Sequence, residues 1–140
     1  MILRGGAADT EKRLNPLPSY EENIMAGRED IYQKAMSEGH SAAWDQQWDK
    51  AAEAYQRALA EFPDQPKALT SLGLALFELQ QYDDALAAYQ HAAKVSPSDP
   101  IPLEKVAQLS ERLGNLPQSI QAALTAAELY IKSQDRKSVV

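Results

Sequence analysis

Two histidines, His40 and His91, and three adjacent acidic pairs, Glu21-Glu22, Glu29-Asp30 and Asp83-Asp84, are the residues of this 140-residue chain whose types could carry chemistry. Paired carboxylates act as acid and base when they face one another across a substrate. Neighbours along a helix diverge by about 100°, so none of these pairs can do so, and they read as charges placed at helix starts. A zinc or iron site needs three or more convergent ligands. The histidines have no carboxylate at ligand spacing beside them both, and they are expected as solvated surface groups. Cysteine is absent, which removes thiolate nucleophiles, thiol metal sites and disulfides together and leaves the redox compartment unmarked. There is no Ser/His/Asp arrangement, and Arg4-Gly5-Gly6 has neither a strand before it nor a helix after it to bind a phosphate. The expectation is a chain that is not an enzyme and holds no metal or cofactor.

Charge narrows the partners. A net charge of −6 offers no basic field to a phosphate backbone or an anionic lipid surface, so nucleic acid is not expected as a partner. The longest apolar run, residues 72–77, is far short of the roughly 20 that a membrane helix needs. The amino terminus lacks the apolar stretch of a signal peptide. These features predict a soluble, cytoplasmic protein with no membrane partner.

What must position any functional surface is a repeat. Gly39 and Gly73, Trp48 and Tyr82, Ala51 and Ala85, Tyr55 and Tyr89, Ala58 and Ala92, and Pro63 and Pro97 are each separated by 34 residues. A further step of 34 carries Leu69 to Leu103, Leu72 to Val106, Ala85 to Ser119 and Ala92 to Ala126, so a third, worn copy is present. Within a copy, Leu69, Leu72, Leu76 and Leu79 form one helical face, and Tyr82, Ala85, Leu86, Tyr89, Ala92 and Ala93 form another. Two helices per unit follow, joined by the polar turn Gln80-Gln81-Tyr82-Asp83, in which Asp83 suits a cap, and closed by Pro97. Gly73 interrupts a good helix at a cost of roughly 1 kcal/mol relative to alanine, and only close packing offsets that.

At the ends, residues 1–18 read as a disordered or extended tail. Ser19-Tyr20-Glu21-Glu22 fits a capping box, predicting a helix from Tyr20 to about Trp44 with a bend at Gly27. One long helix is predicted from Leu116 to Gln134, with Pro117 in its first turn.

The stretch from Pro66 to Asp99 resembles a tetratricopeptide repeat, with Leu69, Leu72-Gly73, Ala85, Tyr89, Ala92 and Pro97 at that family's large, large-Gly, small, aromatic, small and proline positions. Gly39, Ala51, Tyr55, Ala58 and Pro63 repeat the pattern upstream, although Ala35 and Glu38 stand where large apolar residues are usual. The third copy has Ala107, Ser119 and Ala123 at the glycine, small and aromatic positions and lacks a closing proline. The resemblance implies an all-α solenoid of antiparallel helix pairs wound as a right-handed superhelix. Its units would span about 32–65, 66–99 and 100–130, with 131–140 beginning a further, truncated unit inside a helical domain of 19–140. Side chains at Gly73 would then collide with the helix carrying Ala85. A stack ending in this way would expose an apolar end and leave self-association through the carboxyl-terminal end open.

The resemblance also implies a concave groove, lined by the first helix of each unit, that binds a peptide or protein segment. Its mapped residues are Met36, His40 and Trp44 from the first unit, Thr70, Ser71, Leu74 and Phe77 from the second, and Lys105, Gln108 and Arg112 from the third. Leu74 and Phe77 could equally pack within the stack, and for Trp44 packing against the next helix is expected. Relatives that grip acidic carboxyl termini carry Lys, Asn and Arg at positions matching Met36, His40, Ser71, Ile101 and Lys105; only Lys105 keeps a cation, so no carboxylate clamp is expected. Three function classes follow: a non-catalytic interaction scaffold, a structural or oligomerising segment, and an accessory domain of a larger enzyme or signalling protein.

Overall fold

The computed structural model describes the backbone of residues 19–139 and the side chains of 19–137, so the expected tail 1–18 lies outside the described residues. Among the described residues there are helices and no strand: α1 (Tyr20–Trp44), α2 (Trp48–Glu61), α3 (Pro66–Glu78), α4 (Tyr82–Val95), α5 (Pro100–Arg112) and α6 (Leu116–Val139). Packing separates residues 1–30 from 31–140. The described part of the first unit is the opening of α1, where the capping box forms reciprocally: Ser19 Oγ accepts from the Glu22 N–H and Glu22 Oε2 accepts from the Ser19 N–H, each at 3.1 Å. The second unit carries the remainder.

Its helices follow the 34-residue repeat. Three-residue connections join α1 to α2, α3 to α4 and α5 to α6, which forces each pair antiparallel. The turn is the same each time: Gln46, Gln80 and Gly114 all have φ near +60° to +83°, and the next N–H reaches back five residues, from Gln47 to Ala42, Gln81 to Leu76 and Asn115 to Ser110. This is the left-handed helix stop, natural for Gly114 and strained for a glutamine. The expected cap at Asp83 is corrected, because α4 starts at Tyr82 with Gln81 at the cap position and Asp83 already inside the first turn. There its charge, with that of Asp84, faces the helix's positive end. Proline opens α3 and α5 at Pro66 and Pro100, where its missing N–H is harmless.

The core is built from small residues. Ala51, Ala58, Ala68, Ala75, Ala85 and Ala92 are fully buried, and between them Tyr55, Leu69, Leu72, Leu76 and Tyr89 fill the space. The glycine positions have a specific partner. A Cβ at Gly73 would lie 2.7 Å from the nearest atom of the Tyr89 ring, and one at Gly39 would lie 2.5 Å from the Tyr55 ring. The obstacle at position 73 is thus this ring on α4, four residues beyond Ala85, because alanine is too short to reach. Residues 131–139, expected to begin a further unit, instead prolong α6: Ile131 stands at the register position of Pro63 and Pro97, and without proline nothing stops the helix. Pro63 and Pro97 themselves are exposed in the inter-unit turns.

Candidate functional site

The face presented by α1, α3 and α5 carries the mapped residues, and it contains two clefts. The larger, about 610 Å³, is bounded by α1 and by Lys67 at the start of α3. Met36 is its floor: the side chain is only 4% exposed and belongs to the core, held there by helical spacing with Tyr32 and Ala35. Met36 is therefore part of the packing, with no free side chain to offer as an anchor. Trp44 is the opposite case. It is 88% exposed at the end of α1, where the helix stops and no other described element covers it, so the expected packing on the following helix does not occur. Ser41 and Asp45 also line this cleft; the i, i+4, i+8 spacing from Ser37 was the available signal for them.

His40 and Ser71 are drawn together by a residue of the packing signature. With its ring packed against Gly39, Tyr55 shares a 2.9 Å hydrogen bond between its hydroxyl and His40 Nδ1 and meets the Ser71 side chain. Burial raises the Tyr55 pKa and the Ser71 hydrogen bond opposes the shift. His40 is thus not merely a solvated surface group. Nor is His91, whose Nε2 lies 2.8 Å from Asp64 Oδ1 on a different side of the stack. Among the described residues no group of three or more His, Cys, Asp or Glu converges to hold a metal.

In the second cleft, about 420 Å³, Phe77, Gln108, Glu111 and Arg112 meet. Phe77 packs edge-on to Tyr82 at 5.5 Å between ring centroids, so its ring belongs partly to the stack. Arg112 covers it: the guanidinium carbon is 4.8 Å from the Tyr82 ring centroid and 5.6 Å from that of Phe77, and an N–H donates to the Tyr82 hydroxyl at 3.1 Å. Between the clefts Leu74 is 42% exposed, while Thr70, whose hydroxyl donates to the Lys67 carbonyl, and Lys105 are half-buried. Gln108 is exposed. The surface therefore mixes polar and apolar side chains, with Trp44, Leu74 and Ile101 exposed among the latter.

The sequence has no match among curated proteins. Solved structures similar in fold include MamA (20% identity, 74% of this chain and 61% of that one, TM-score 0.72). A second is the CopN-Scc3 complex (24% identity, 83% and 68%, TM-score 0.71). A third is the second TPR of Spaghetti (RPAP3) bound to the HSP90 peptide SRMEEVD (17% identity, 76% and 98%, TM-score 0.70). The chain thus spans less than two thirds of the MamA chain. No helix among the described residues is long and apolar enough to cross a membrane. The tetratricopeptide repeat family itself matches over residues 37–100 and 75–135, which together cover more than half of the chain; the protein belongs to that family.

Proposed function

We propose that the chain is a non-catalytic interaction module that holds an extended protein segment along the face of α1, α3 and α5. The observation that carries this reading is Trp44, 88% exposed at the rim of the 610 Å³ cleft floored by Met36. A bare tryptophan beside a preformed concavity is the residue type and setting in which binding energy concentrates. Burying Trp44 contributes roughly 1.5–3 kcal/mol, and burying the exposed part of Leu74 about 1 kcal/mol. A micromolar complex needs about 8 kcal/mol net, so the polar groups along this face, among them Ser37, Lys67 and Gln108, must also engage the ligand's backbone. The peptide-bound RPAP3 repeat, similar in fold, adds precedent for such a ligand.

A displayed library of random dodecapeptides, panned on the whole chain, tests the reading. Enriched peptides are expected to lose at least tenfold in affinity to Trp44→Ala and to Leu74→Ser, with circular dichroism unchanged, since neither side chain is core. Gln56→Ala and His91→Ala, at another cleft formed by α2, α3 and α4, should leave affinity intact. The reverse pattern, or no enrichment at all, refutes the proposal.

A further inference from the structure

α6 has two apolar faces, and among the described residues only one of them is packed against another element. Ser119, Ala122 and Ala126 turn toward α5, with Ser119 Oγ donating to the Ala107 carbonyl at 2.8 Å. At 100° per residue, Leu116, Ile120, Ala123, Leu124, Ala127 and Ile131 fall within about 100° of one another on a different face. The four large ones are 58–61% exposed.

The internal register shows what this face is shaped for. Trp48 and Tyr82 occupy the position of Leu116, and Ala52 and Leu86 that of Ile120; all four are buried or half-buried against the core, because the next unit's first helix covers them. The opposite end of the stack does not match it. The positions by which α3 and α5 pack on the preceding unit are Ala68, Leu72 and Ala75 in one and Pro102, Val106 and Leu109 in the other, all buried; in α1 they are Lys34, Glu38 and Ser41. Glu38 is moreover ion-paired to Arg57 at 2.9 Å, and Ile31 is exposed beside it. A head-to-tail stack would press Leu116 and Ile120 onto charges.

We infer that the exposed face of α6 binds the same face of a second copy, antiparallel, about a twofold axis between Ala123 and Leu124. In that register Leu116 meets Ile131 of the second copy, Ile120 meets its Ala127 and Leu124 meets its Ala123, so large residues oppose small ones at the centre. Residues 116–127 carry no charge in a chain of net charge −6, so the two faces meet without repulsion. The large residues offer about 500 Å² per copy, or about 1,000 Å² per pair, near the lower bound of a specific interface, as suits a weak, concentration-dependent dimer.

Sedimentation of the full chain over a concentration series reaching about 100 µM tests it, since interfaces of this size belong to the weak, transient class. A concentration-dependent dimer is expected, weakened at least tenfold by Ile120→Glu or Leu124→Glu with helicity retained. Since the chain has no cysteine, a single Ala123→Cys should oxidise to a covalent dimer while Gln90→Cys on α4 stays monomeric. A monomeric wild type assigns the face to a different occupant and overturns the inference. So does a dimer indifferent to Ile120→Glu, or equal cross-linking at both cysteines.

Discussion

Replacing Gly73 by alanine tests the packing on which every surface described above depends. In an open helix the change stabilises by about 1 kcal/mol, through propensity. Here the new Cβ would sit 2.7 Å from one carbon of the Tyr89 ring and 2.9 Å from two more, against 3.4 Å or longer for ordinary contact, so the ring must retreat by about 0.7 Å. It has little room to move: Tyr89 is buried, with Ala85 and Ala92 on the same helix fully buried. Overpacking of this kind costs about 1–3 kcal/mol, which outweighs the propensity gain and leaves a net loss of about 1 kcal/mol, with Gly73→Leu losing more. Gly27, where a Cβ meets nothing within 4 Å, is the internal control, and Gly27→Ala should gain up to about 1 kcal/mol. Urea unfolding of the four combinations of Gly73→Ala with Tyr89→Leu gives the coupling directly, because removing the ring's far edge should turn the alanine from harmful to helpful. A Gly73→Ala protein more stable than wild type, or a loss unchanged in the Tyr89→Leu background, would refute the reasoning.

Further outcomes follow from two buried groups. Burial, reinforced by the charge of Glu78, pushes the Tyr89 pKa up to about 12 from an ordinary value of 10.0. The folded state therefore keeps a proton that the unfolded chain releases, so stability present below pH 10 should fall by roughly 2 kcal/mol as pH rises toward 12; Tyr89→Phe should flatten that part of the urea-midpoint profile. Ser110, fully buried, has a side-chain oxygen with no hydrogen-bond partner. Ser110→Ala should raise stability by about 1 kcal/mol in thermal melts, since it removes a desolvated hydroxyl while keeping the packing.

The 34-residue period marked the repetition of helix pairs, because glycine, alanine and proline each tolerate few environments and their spacing repeats what the backbone must do, but it did not set the start of α1 or the length of α6. The capping box at Ser19 and Glu22 was legible for the same reason: both partners lie within one turn. Contacts between helices were not. Whether Met36 is floor or anchor, and whether Trp44 is covered or bare, depends on which neighbour stands opposite, a relation of residues far apart in sequence. The left-handed residue was hidden at Gln46 and Gln80, because glutamine gives no signal for that conformation, whereas Gly114 is of the type that favours it. Composition and period alone determined an all-helical repeat reading. Tertiary packing decided where Tyr55 delivers its hydroxyl, between His40 and Ser71, and which apolar face of α6 was left without a partner, since burial is settled by neighbours in space and a sequence records only neighbours along the chain.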